Sequence, residues 1–146
     1  MSRLILAQQC LAKFGSPYDE KSMILWDVPV ELEIGVIPKR IYCNKLLVAP
    51  LSKALKNLID TGCIKELKTW DGCFNIRKSK GSNIAYSLHA WGLAIDVNAA
   101  WNRYGAKPAL SKEFVECFTN VGFIWGGNWH IPDGMHFQLG DLESNI

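Results

Sequence analysis

Apolar positions near the start of the chain, Leu4, Ile5, Leu11 and Phe14, recur at roughly helical intervals, and the run stops at Gly15-Ser16-Pro17. That spacing predicts a first helix over residues 3–14. Residues 26–45 carry Pro29, Gly35 and Pro38 among β-branched residues without helical period, so an extended, looping segment is expected there. "PLSKALKNLIDTG" is the strongest helical pattern. Pro50 opens it, Leu51, Leu55, Leu58 and Ile59 form the apolar stripe, and Gly62 closes it.

Further along, "CIKELKTW" (63–70) alternates like a strand, and an Asp71-Gly72 turn predicts "CFNIR" as its hairpin partner. Residues 78–83, "KSKGSN", read as a polar loop, "GLAIDVN" as a buried central strand, and "NAAWNRYGAKP" as a connection. Ser111 caps a helix over "KEFVECFTNVG" with Phe114, Cys117, Phe118 and Val121 on one face and Gly122 at its end. "WGGNWHIPDG" is a Gly-rich aromatic loop and "MHFQL" a last strand. The fold class is therefore α+β, helices against a small, mostly antiparallel sheet, in a single domain over 1–146.

Composition narrows the function classes. With 146 residues, 49% hydrophobic and 21% charged, the chain can build a sizeable core and is unlike a disordered one. A net charge of +2 is too small to imply nucleic acid as the main partner. Five cysteines without a CxxC pair suggest reduced thiols in a cytosolic setting rather than a disulfide scaffold. "MSRLILAQQCLAKFG" lacks the apolar core and cleavage site of a signal peptide, and no segment is long enough for membrane insertion.

"SLHAWGLAIDVN" sets His89 seven residues before Asp96, and His136 lies in the last strand. By themselves these residues fit a loop histidine and a capping carboxylate as readily as a site. Together, two imidazoles and one carboxylate suit Zn²⁺ with a fourth position left for water. Asp133, three residues before His136, can reach that water as a base without being a ligand.

The two blocks resemble those of the zinc peptidases that include D-alanyl-D-alanine carboxypeptidases and L-alanyl-D-glutamate endopeptidases. "SLHAWGLAIDVN" is similar to the S-x-H-x-x-G-x-A-x-D signature, and "DGMHFQL" to the second block, D/E-x-x-H, after a Trp-rich turn such as "WGGNW". The resemblance implies a Hedgehog/DD-peptidase-like fold with His89, Asp96 and His136 as zinc ligands and Asp133 as catalytic acid/base. It also implies that Ser87 bonds within or beside the site and that Arg77 pairs with a substrate carboxylate or carbonyl through its guanidinium fork. Trp125 and Trp129 are candidates for a cleft wall, and Gly126 and Gly127 for close backbone approach or a tight turn. His130 has no metal role in the pattern and is expected on the groove rim.

The expected activity is hydrolysis of the peptidoglycan stem peptide by a monomer. An L-alanyl-D-glutamate endopeptidase of the bacteriophage endolysin type, made in the host cytoplasm and released through a holin-made opening, is the first choice. The alternatives are a D-alanyl-D-alanine carboxypeptidase and a non-catalytic wall-binding or virion module with a structural zinc. A thiol peptidase using Cys73 with His89 or His136 is a further rival.

Overall fold

The computed structural model describes residues 2–82 and 84–142, in which three α-helices accompany six short strands that form two antiparallel sheets. Asn83, at the end of the expected polar loop, lies outside the described residues. Helix α1 (Arg3–Phe14) starts at Ser2, whose hydroxyl accepts from Ile5 N–H. Its inward face is Leu6, Ala7, Cys10 and Phe14, whereas Leu4, Ile5 and Leu11 are exposed. The apolar residues that suggested the helix are thus mostly on its solvent side. The true inward stripe was masked because Ala7 and Cys10 are small.

The looping segment expected over 26–45 overlaps the end of one strand and holds the whole of another: β1 (Met23–Asp27) runs antiparallel to β2 (Arg40–Asn44). Helix α2 (Val48–Thr61) begins two residues before Pro50, which sits in the first turn where no N–H is needed. Pro50, Leu51, Ala54, Leu55 and Leu58 are buried and Gly62 ends the helix at φ 81°. The strand expected over 63–70 is instead a 3₁₀ turn (Cys63–Glu66) leading to a short β3 (Trp70–Gly72). Asn98 explains that difference: its side-chain oxygen accepts from Lys68 and Thr69 N–H and its amide donates to the Glu66 carbonyl, so side-chain bonds replace a ladder. Asp71 and Gly72 belong to β3, in which Trp70 and Gly72 pair with β4 across an irregularity at Asp71, rather than turning into a hairpin with 73–77.

The main sheet has the order β3-β4-β6-β5, with β4 (Ala94–Val97), β5 (Phe123–Trp125) and β6 (His136–Leu139). Trp125, expected in the aromatic loop, closes β5. Helix α3 (Lys112–Thr119) is capped by Ser111, whose hydroxyl accepts from Phe114 N–H and donates to Glu66. One hydrophobic cluster runs from Leu6 in α1 to Leu142. At its centre Phe137 stacks on Phe118 with ring centroids 4.4 Å apart, and Phe118 meets Phe123 edge-on at 5.5 Å.

Phe118 is fully buried and touches two strands of the main sheet from α3. Phe118→Ala is expected to lower folding stability by about 3–5 kcal/mol through lost transfer energy and a cavity. Urea denaturation followed by far-UV circular dichroism measures it.

Candidate metal centre

The register of β4 against β6 sets Asp96 directly opposite His136, with Ile95 opposite Phe137 and Ala94 opposite Gln138. Alternation along the strands sends Ile95 and Phe137 into the core and places Asp96 and His136 together on the other face. The third group arrives from a 3₁₀ turn, Leu88–Trp91, capped by Ser87, whose hydroxyl accepts from His89 N–H. Gly92 ends that turn at φ 67°, and a Cβ there would stand 2.7 Å from the Asn44 nitrogen. The signature glycine is therefore what allows the His89 turn to close against β2.

His89 Nε2 lies 3.1 Å from His136 Nδ1 and 3.1 Å from Asp96 Oδ2, and His136 Nδ1 lies 3.4 Å from Asp96 Oδ1. A tetrahedral zinc with bonds near 2.05 Å separates its ligand atoms by about 3.3 Å, so the triangle has the right size. The far nitrogen of each ring is already committed. His89 Nδ1 donates to the Cys73 carbonyl at 2.6 Å, and His136 Nε2 donates to Gln138 Oε1 at 2.8 Å. These bonds fix the tautomers and turn two nitrogen lone pairs and one carboxylate toward a single point. Asp96 Oδ1 is buried without a hydrogen-bond partner. Burial opposes ionisation of Asp96, but the imidazoles of His136 and His89 beside it outweigh that and hold the carboxyl well below its ordinary range. A donor set of this kind fits a divalent cation.

Around the triad, Asp133 is almost fully buried and its Oδ1 is 3.2 Å from Lys80 Nζ. Its backbone is seated by Gly126: Asp133 N–H donates to the Gly126 carbonyl, and a Cβ on Gly126 would meet the Asp133 carbonyl oxygen at 2.6 Å. Arg77 reaches Asp96 at 4.0 Å. A slot lined by Arg77, Ser87, Trp129, Asp133 and His136 adjoins a cleft of about 420 Å³ that holds His89 and Asp96. The Trp129 ring lies 5.3 Å from the His136 ring, whereas Trp125 stacks along Phe137 and donates to the Gly134 carbonyl. His130 is exposed. Cys73 is buried, its thiol is pushed up by burial, and the part it plays at the site is its carbonyl.

Two site residues were missed from the sequence. Gln138 was detectable, because a strand places it on the same face as His136, two residues on. Lys80 carried no such signal: a lysine in a polar loop is ordinarily solvated.

Two fixed imidazoles and a carboxylate around one cation position, beside a buried carboxyl group, form a centre of the kind used by metal-dependent hydrolases. Residues 80–139 match the family model described as D-alanyl-D-alanine carboxypeptidase. That span contains Lys80, Ser87, the whole triad, Trp125, Trp129 and Asp133, and the match supports a zinc peptidase family. The α+β architecture is consistent with it. No curated protein and no solved structure matches the chain.

The purified protein is expected to bind one Zn²⁺ per chain by elemental analysis. His136→Ala should abolish stoichiometric binding, and chelation should lower the melting temperature of the wild type. Saturation at about a thousandfold excess over Kd corresponds to about 4 kcal/mol of stabilisation.

Proposed function

We propose that this protein is a zinc metallopeptidase that hydrolyses the stem peptide of peptidoglycan, with the L-alanyl-D-glutamate endopeptidase activity of a bacteriophage endolysin. The observation that carries the reading is the convergence of His89 Nε2, His136 Nδ1 and an Asp96 oxygen within 4.8 Å, with Asp133 in the adjoining slot. Zn²⁺ held by these three would supply Lewis acidity to polarise a carbonyl and make a water acidic near neutrality.

The chain's own residues supply the rest. Asp133 takes the proton of the attacking water and returns it to the departing amine nitrogen. The buried Gly126–Asp133 backbone bond holds that carboxyl group in place while it does so. Arg77 presents its guanidinium fork at the mouth of the cleft to orient a substrate carboxylate or carbonyl. Ser87 holds the His89 turn from the slot side, and Trp129 walls the slot. Cys73 does no thiol chemistry in this reading, since a buried thiol with a raised pKa is a poor nucleophile.

A D-alanyl-D-alanine carboxypeptidase is the second reading, favoured by the description of the matching family. In the first reading the monomer is made in the host cytoplasm and reaches the wall through a holin-made opening. The five free thiols suit a reducing compartment. No helix among the described residues is long and apolar enough to cross a membrane.

Digestion of purified peptidoglycan by the zinc-loaded protein, with new termini identified by mass spectrometry, tests the reading. New amino-terminal D-glutamate supports the endopeptidase, released D-alanine the carboxypeptidase, and no new terminus sinks both. In the same assay Asp133→Ala should keep fold and zinc but lose turnover by about 10²–10⁴-fold. Cys73→Ser should retain near wild-type turnover, and its inactivity with fold and zinc intact would favour a thiol mechanism.

A further inference from the structure

Helix α1 lies outside the segment that matches the peptidase family, yet both of its ends reach the candidate site. Its buried residues Leu6, Ala7, Cys10 and Phe14 seat it in the core. At its carboxyl end the Trp91 indole, from the turn that carries His89, donates to the Gly15 carbonyl at 3.0 Å. At its amino end Arg3 lines the slot that holds Asp133 and His136. An arginine in the first turn of a helix gains nothing from the macrodipole, because its charge faces the positive end. Its position calls for a tertiary reason.

That reason is two contacts made by one side chain. The Arg3 guanidinium donates from Nη1 to the Lys80 carbonyl at 3.3 Å, and its central carbon stands 4.4 Å from the centre of the Trp129 ring. The edge of a guanidinium donates hydrogen bonds while its face stacks on an aromatic ring, so one arginine serves both partners. Lys80 belongs to the polar loop that begins at Lys78, and Trp129 to the Gly-rich turn before β6. At the base of the loop Ser79 N–H donates to the Ala85 carbonyl at 2.8 Å and Ser87 N–H to the Arg77 carbonyl at 2.9 Å. Arg3 adds a hold at Lys80 itself.

Both segments lead to Asp133. Lys80 Nζ is 3.2 Å from Asp133 Oδ1, with the Met135 sulfur at 3.7 Å and the Tyr104 ring beside it. From the other side, Trp129 N–H donates to the Gly126 carbonyl at 3.1 Å and Asp133 N–H to the same oxygen at 2.9 Å. The turn that carries the indole therefore also seats the backbone of the carboxylate. Arg3 thus holds, one step removed, both the ion-pair partner and the backbone support of the group that moves the proton.

We propose that Arg3 is a positioning residue for Asp133: its guanidinium clasps the Lys80 carbonyl and the Trp129 ring, and so fixes the carboxylate for proton transfer from a helix outside the segment that carries the ligands. Misplacing a catalytic group by about 1 Å can cost about a hundredfold in rate, so loss of the clasp is read in kcat. Arg3 acts through its neighbours and not on the substrate, so KM moves little. The catalytic part of this inference rests on the peptidase reading, whereas the clasp does not.

The test uses the zinc-loaded full chain and three variants: Arg3→Ala, Arg3→Lys, and Arg3→Ala combined with Asp133→Ala. Amide hydrogen exchange followed by NMR reads the clasp directly. In Arg3→Ala the Ser79, Trp129 and Asp133 amides should exchange about tenfold faster, with the β4 and β6 amides and the zinc content unchanged. On a soluble stem peptide that the wild type cleaves, kcat should fall about tenfold or more at nearly constant KM. Arg3→Lys, which keeps a donor for the carbonyl and a cation for the ring, should restore most of both signals. With Asp133→Ala already present, Arg3→Ala should cost nothing further in kcat. Unchanged exchange and kcat in Arg3→Ala, a loss that adds in full to that of Asp133→Ala, or a loss that follows zinc content overturns the positioning role and leaves the peptidase reading standing. If exchange quickens as expected but the wild type cuts no stem peptide, the clasp stands and its catalytic role falls with the peptidase reading.

Discussion

The pairing of Asp96 with His136 across β4 and β6 is the constraint on which the site depends. A strand slipped by one residue would exchange the two faces, sending a carboxylate and an imidazole into the core and Ile95 and Phe137 toward the cleft. That slip is prevented by apolar packing behind the site. Phe137 sits between Phe118 and Trp125 in stacked contact, and Ile95 is fully buried. The triangle of donor atoms is thus held by a hydrophobic layer behind it.

Around that register, the polar contacts serve to aim atoms. The Cys73 carbonyl and Gln138 each take one ring hydrogen, leaving the opposite nitrogens directed at the same point. Lone pairs and a carboxylate brought this close in a buried site favour a cation strongly, because each is otherwise desolvated without compensation. A metal held there would contribute its binding free energy to folding.

Asymmetry of charge distinguishes the open side of the centre. Arg77 and Lys80 lie on the loop before the His89 turn, and Asp133 enters from the Gly-rich segment before β6. This carboxylate and the Lys80 ammonium thus come from segments far apart in sequence and touch beside the triad.

Much of the site was legible in the chain alone, because its chemistry is local. Ser87, His89, Gly92 and Asp96 share one turn–strand unit, and Asp133 and His136 another, so each block could be matched to a known family's signature from local sequence. Helices α2 and α3 were legible from periodicity and caps, while the apolar residues noticed in α1 proved mostly solvent-facing. The segment at 63–70 read as a strand because its alternation is real, yet Asn98, some thirty residues away, bonds its backbone into another shape. The β1–β2 pair was hidden by prolines between its strands. Only the tertiary structure could join the two ligand blocks in register, turn each imidazole by its far nitrogen and set Lys80 against Asp133. Those are long-range contacts whose partners have no fixed separation along the chain, so no local pattern encodes them.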